Sequence, residues 1–75
     1  ELTGKEYEVL EYLMQSKNRI LSREQIKEHV WDFDYEGDSN IIDVLIKNIR
    51  KKIDIEDGKQ IIYTKRGLGY VIKED

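Results

Sequence analysis

The 75-residue sequence predicts one α+β domain, in which three helices are followed by a β-hairpin. Three features lead to that class: two helix-capping boxes, an isoleucine repeat at helical spacing, and a glycine-bearing basic loop between two short β-branched segments. A chain of this length lies near the lower limit for an independent core and buries only roughly 60 % of its unfolded surface. Its 39 % hydrophobic content is enough for one core and too rich for a disordered tail.

Thr3-x-x-Glu6 opens the first helix, because the Thr hydroxyl accepts from the third amide while the Glu side chain reaches back to the cap amide. Tyr7, Leu10, Leu13 and Met14 then recur at helical spacing, predicting an apolar stripe over a helix at 4–16. Ile20 and Leu21 form a short extended link. Ser22-x-x-Gln25 is a second capping box and opens a helix over 23–31, with Ile26 and Val30 facing inward. Residues 32–39 are polar, acidic and contain Gly37, hence a loop. The third helix spans 40–53, where Ile42, Ile46, Ile49 and Ile53 form the buried stripe and Lys47, Arg50 and Lys51 fall on the opposite side. Asp43 lies in its first turn, where a negative charge suits the helix dipole. Residues 60–64 and 70–72 read as strands, joined by a hairpin loop over 65–69 in which Gly67 and Gly69 supply positive φ.

Composition removes several function classes. The sequence has no cysteine, which excludes disulfides, thiolate metal sites and cysteine nucleophiles, and a single histidine argues against a histidine metal cluster. No apolar run approaches the ~20 residues of a membrane span, so no membrane partner is expected. The absence of cysteine fits a reducing cytosol, and a cytoplasmic location is the expectation. His29 reads as a surface helix residue, and no nucleophile–base arrangement supports catalysis, so neither an enzyme nor a cofactor is expected. The net charge of −3 conceals an asymmetry: residues 1–40 are acidic overall, whereas 44–53 carry Lys47, Arg50, Lys51 and Lys52 with no acid. A local basic stretch of this kind is a candidate phosphate-binding surface, and equally a solvated helix face.

Three helices, the third basic, followed by a hairpin with a basic tip, is the layout of a winged helix: a helix-turn-helix core with a C-terminal β-hairpin wing. Leu2-Thr3-x-x-Glu6, Ser22-Arg23-Glu24, Val30-Trp31, Asp43-Val44-x-Ile46, Ile49-Arg50-Lys51-Lys52 and Thr64-Lys65-Arg66-Gly67-Leu68-Gly69-Tyr70 follow one another along nearly the whole chain. In this order and spacing they resemble the C-terminal effector domain of OmpR/PhoB-type response regulators, the transcription factors of bacterial two-component systems. Two departures stand out. The antiparallel sheet that usually begins such a domain is not in this sequence, which leaves apolar surface on the first helix uncovered and suggests a fragment of a longer receiver–effector protein. Asn40, Leu45 and Asn48 also stand where the family often has Arg, His and Arg.

The resemblance implies binding to double-stranded DNA as direct repeats, one monomer per repeat. It further implies an N-terminal receiver domain phosphorylated by a cognate sensor kinase, and contact with RNA polymerase. Carried onto this sequence, the DNA contacts are Asn40, Lys47, Asn48, Arg50 and Lys51 on the recognition helix and Thr64, Lys65 and Arg66 on the wing. Arg50 is expected to face the groove. Leu45 is expected to be partly buried, with a thymine methyl as its alternative partner, and the Tyr70 ring to pack on the helix. The acidic residues Asp32, Asp34, Glu36 and Asp38 occupy the loop that the resemblance assigns to polymerase contact. Two other readings remain at this point: a winged helix that binds protein and not DNA, and a calcium loop over 32–43, whose acidic spacing approaches an EF-hand but ends on Asp43 and not Glu.

Overall fold

The computed structural model describes residues 2–31, 37–53 and 61–73. Its elements follow the order helix α1 (Gly4–Gln15), helix α2 (Arg23–Val30), helix α3 (Asn40–Ile53), strand β1 (Ile62–Lys65) and strand β2 (Gly69–Ile72). Both capping boxes form. Thr3 Oγ1 accepts from the Glu6 amide at 3.3 Å while the Thr3 amide donates to Glu6 Oε1 at 3.0 Å. Ser22 Oγ accepts from the Gln25 amide at 3.1 Å and the Ser22 amide donates to Gln25 Oε1 at 2.8 Å.

The first two helices each stop one residue short of expectation. Ser16 leaves helical geometry at ψ 33° as the cap of α1, and Trp31 is already extended at ψ 158°. Strand β1 lies later than expected, at 62–65, because antiparallel pairing runs from Ile62↔Ile72 to Lys65↔Gly69 and draws Lys65 and Gly69 out of the loop. The turn is therefore Arg66-Gly67-Leu68, closed by the Leu68 amide donating to the Lys65 carbonyl at 2.8 Å, with Gly67 at φ 76°.

Helix α3 turns Ile42, Ile46 and Ile49 fully into the core, and Leu45 joins them at 9 % exposure, deeper than the partial burial expected. Each such side chain contributes roughly 1.5–3 kcal/mol through removal from water. Val9 and Leu13 of α1, Ile26 and Val30 of α2, and Ile62, Tyr70 and Ile72 of the hairpin complete the cluster, with Ile53 packed at its edge. The phase of α1 differs from the sequence reading. Its inward residues are Glu6, Val9 and Leu13, whereas Tyr7 and Met14 remain 56 % and 49 % exposed. A helix offers only one stripe of about 100° to a core; here that stripe runs through the fully buried Val9 and Leu13, and it also sets the Glu6 carboxylate 2.7 Å from Lys52 Nζ. Tyr7 and Met14 instead stand exposed on α1, on either side of Leu10, which is half-buried and packs against the core.

The link between α1 and α2 is more than a spacer. Leu21 exchanges two backbone hydrogen bonds of 2.9 Å with Tyr70, and the Asn18 amide donates to the Ile72 carbonyl at 2.8 Å, so this segment lies along the free edge of β2. The approach is close enough that a Cβ on Gly69 would stand 2.0 Å from the Leu21 carbonyl oxygen.

Gly69→Ala is expected to cost about 3 kcal/mol in denaturant unfolding, since the new methyl meets backbone that cannot move aside. Gly67→Ala, whose Cβ would enter open space, is expected to cost only about 1 kcal/mol for its positive φ. The Lys52 hydrogen bond, followed by that from the Thr3 amide, holds the Glu6 carboxyl below its ordinary value of 4.5. A depressed folded-state value means that this contribution is present above pH 4.5 and is lost as pH falls below it. Glu6→Gln should therefore flatten that acid limb in a pH series of thermal melts.

Candidate nucleic-acid interface

Helix α3 presents a second stripe opposite its isoleucines. Asn40, Val44, Lys47, Asn48 and Lys51 recur at spacings of four, three, one and three residues, with Asn40, Lys47 and Lys51 exposed and Asn48 half-buried. Val44 belongs to this face and is 50 % exposed, so it and not Leu45 is the apolar side chain available to a partner. The sequence carried that signal, since Val44 lies four residues from both Asn40 and Asn48. The helix begins under the Asp38 carboxylate, which accepts from the Asn40 amide at 3.1 Å and, at a longer 3.4 Å, from Asn40 Nδ2. Asp38 is thus a helix cap as well as the last member of the acidic loop. Asp32, Asp34 and Glu36 lie outside the described residues.

Arg50 sits differently from the sequence expectation. It is half-buried, and its guanidinium is turned toward the hairpin and not to the open face of α3. Nη2 donates to the Ile62 carbonyl at 2.9 Å and to Thr64 Oγ1 at 2.7 Å, and Nε reaches the Ile62 carbonyl at 3.3 Å. The guanidinium carbon also lies 5.7 Å from the centre of the Tyr70 ring. A planar fork suits this role, because one group can satisfy a backbone carbonyl and a hydroxyl at once. The result fixes the wing beside α3.

On the wing, Thr64 and Arg66 are exposed, Lys65 is half-buried, and Leu68 stands 61 % exposed at the tip. Lys73, next to Lys65, holds the Lys65 ammonium below the usual lysine range, the signature of two like charges set side by side. A cleft of about 430 Å³ separates the wing from the start of α2, lined on one side by Thr64, Lys65 and Arg66 and on the other by Ser22, Arg23 and Glu24.

A three-membered polar joint lies at the base of this cleft. Arg23 Nε donates to Asp43 Oδ1 at 2.9 Å, and the Tyr70 hydroxyl donates to the same carboxylate. Burial pushes the Asp43 carboxyl upward, but the hydrogen bonds from Tyr70 and Arg23 outweigh it and hold the group below its ordinary 3.8. Burial, then the neighbouring carboxylate, pushes the Tyr70 hydroxyl above 10.0, so it stays a donor. Asp43 thereby joins Arg23 of α2 to Tyr70 of β2.

The sequence of residues 1–72 matches the family model described as "Transcriptional regulatory protein, C terminal". The chain belongs to that family. It is the winged-helix effector domain of OmpR/PhoB-type response regulators. This effector domain is 51 % identical over 73 residues to the uncharacterized transcriptional regulatory protein YkoG of Bacillus subtilis, a match covering 97 % of this chain and 32 % of YkoG. It is 44 % identical over 73 residues to the response regulator ArlR of Staphylococcus aureus, covering 97 % of this chain and 33 % of ArlR. It therefore spans about one third of the length of these relatives. Among solved structures, the DNA-binding domain of CpxR from E. coli superposes with a TM-score of 0.81 at 35 % identity, covering 99 % of this chain and 74 % of that one.

Within the effector domain, Tyr70→Phe removes one donor to a carboxylate that keeps its arginine. Denaturant unfolding is expected to show a loss of about 1.5 kcal/mol, with secondary structure by circular dichroism unchanged.

Proposed function

We propose that this domain binds duplex DNA with α3 in the major groove and the wing on the flanking backbone or minor groove, as the output of a response regulator. The observation that carries the reading is the Arg50 brace: it holds a hairpin tipped by Arg66 beside the helix whose uncovered face bears Lys47, Asn48 and Lys51. An α-helix fits the major groove of B-DNA, and cations at its margins are suited to phosphates. Lys47 and Lys51 serve the backbone. Asn48 reads a base edge, its amide matching adenine N6 and N7, and Val44 meets a thymine methyl. Arg66 enters the minor groove or binds its phosphates, with Thr64 and Lys65 alongside. Asn40, tied to Asp38, contacts the backbone at the start of α3.

The wider setting rests on the family and on relatives about three times the length of this chain. In it, a receiver domain precedes the effector domain and is phosphorylated by a sensor kinase, and monomers occupy direct repeats in the cytoplasm. The acidic loop, with Asp32, Asp34, Glu36 and Asp38, meets a basic surface of RNA polymerase. Among the described residues, no helix is long and apolar enough to cross a membrane.

Fluorescence anisotropy with a labelled mixed-sequence duplex over a salt series is the direct test. About 4–6 phosphate contacts give log K a slope of about −4 to −5 against log salt. Lys47→Ala and Lys51→Ala should each reduce that slope by about one and weaken all duplexes alike, whereas Asn48→Ala should relax the preference within a selected pool. No binding at low salt, or a flat salt response, would overturn the reading in favour of a winged helix that binds protein.

A further inference from the structure

We propose that the outward face of the hairpin, built on Tyr63, Lys65 and Lys73, is a docking surface for an acidic segment of a partner protein. Its centre lies outside the duplex-binding surface described above, and its occupant is a different macromolecule.

Successive residues of a strand point to opposite faces of the sheet. On β1, Ile62 enters the core and Thr64 accepts from Arg50, so Tyr63 and Lys65 stand on the face turned away from α3. Val71 lies directly across from Tyr63 on β2, and Lys73, two residues further on, continues that face. Lys73 Nζ reaches over the Tyr63 ring, 5.9 Å from its centre. There it meets Lys65, and the crowding holds the Lys65 ammonium below the usual lysine range. Three other lysines, Lys5, Lys27 and Lys52, each meet a glutamate, at 3.9, 3.4 and 2.7 Å. Lys65 and Lys73 meet each other, and among the described residues neither has an acid partner. Like charges set side by side without a countercharge favour an anion from outside.

Two features select a protein carboxylate over a phosphodiester. The face is turned away from the helix on which a duplex lies. Its centre is also apolar: Tyr63 is half-buried, Val71 across from it is 1 % exposed, and Ile61, two residues before Tyr63, is 39 % exposed. A duplex backbone offers anions with no apolar side chain between them. An apolar centre flanked by cations matches a segment whose carboxylates flank an aromatic or aliphatic side chain. A carboxylate has two oxygens, one for each ammonium. Lys65 serves the duplex in the reading above and marks the margin that the two surfaces share, so the test is placed on Lys73.

The test titrates a short labelled peptide, glutamates flanking a central phenylalanine, into the unchanged chain, Lys73→Glu, Lys73→Arg and Lys51→Glu at low salt, read by fluorescence anisotropy. Lys73→Glu is expected to weaken the peptide about tenfold, whereas Lys73→Arg, and Lys51→Glu on the α3 face, hold it within about twofold. Lys73→Glu should bind duplex as the unchanged chain does, and the peptide should also bind the duplex-loaded chain. No peptide binding by the unchanged chain, equal affinity in Lys73→Glu, or equal losses in Lys73→Glu and Lys51→Glu would each overturn the inference. So would displacement of the peptide by duplex, which assigns the face to nucleic acid. Self-association in sedimentation that Lys73→Glu abolishes assigns it to a second copy and overturns the inference as well. A second measurement needs no variant: the Tyr63 ring and Lys73 side-chain resonances of the unchanged chain should shift as peptide is added. Their constancy in a chain that binds the peptide would place the peptide elsewhere and overturn the proposal. A chain that binds peptide at this face but no duplex removes the proposed function alone, whereas one that binds duplex but no peptide removes only this inference.

Discussion

A two-stranded hairpin is at best marginally stable in water, so everything this domain presents to a partner depends on what holds the hairpin in place. The holding element is backbone: Leu21 pairs with Tyr70 on the free edge of β2, which requires glycine at 69 because any Cβ there would strike the Leu21 carbonyl. That contact joins the wing to the start of α2. Arg50 provides the complementary attachment from α3 to β1. With one strand held from each side, the hairpin behaves as part of the helical body, and the spacing between its basic tip and the exposed face of α3 is a fixed property of the molecule.

The charges divide into two populations. Glu6 with Lys52 and Asp43 with Arg23 each join elements far apart in sequence, and both acidic partners are held ionised. Lys47 and Lys51 stand exposed on α3, and Arg66 on the wing. The net charge of −3 is therefore a poor guide to the field a ligand meets. Local patches govern attraction at distances within the Debye length, roughly 8 Å at physiological ionic strength.

Both helix starts were legible in the sequence because a capping box is a local device whose partners sit three residues apart. The same locality made the isoleucine stripe of α3 and the glycine-bearing turn readable. What escaped was long-range. The phase of α1 could not be chosen from Tyr7, Leu10, Leu13 and Met14 alone, since the core that Val9 and Leu13 enter and the Lys52 that Glu6 meets come from distant elements. Arg50 reads as an outward cation by periodicity, yet its long side chain bends to a carbonyl 12 residues away. Asp43 reads as a helix-dipole charge, while its strongest partners come from α2 and β2. Val44 was within reach of the periodicity argument, lying four residues from Asn40 and from Asn48.

A single carboxylate, that of Glu6, both closes the first turn of α1, through the Thr3 amide, and grips Lys52 in the last turn of α3. Unwinding that opening turn therefore cannot be a private event of the N-terminal end: it strips a countercharge from the far end of α3. Local fraying and the integrity of α3 are thus one cooperative unit, and a strain applied to the peptide at Leu2 and Thr3 acts, through one oxygen atom, as a lever on α3.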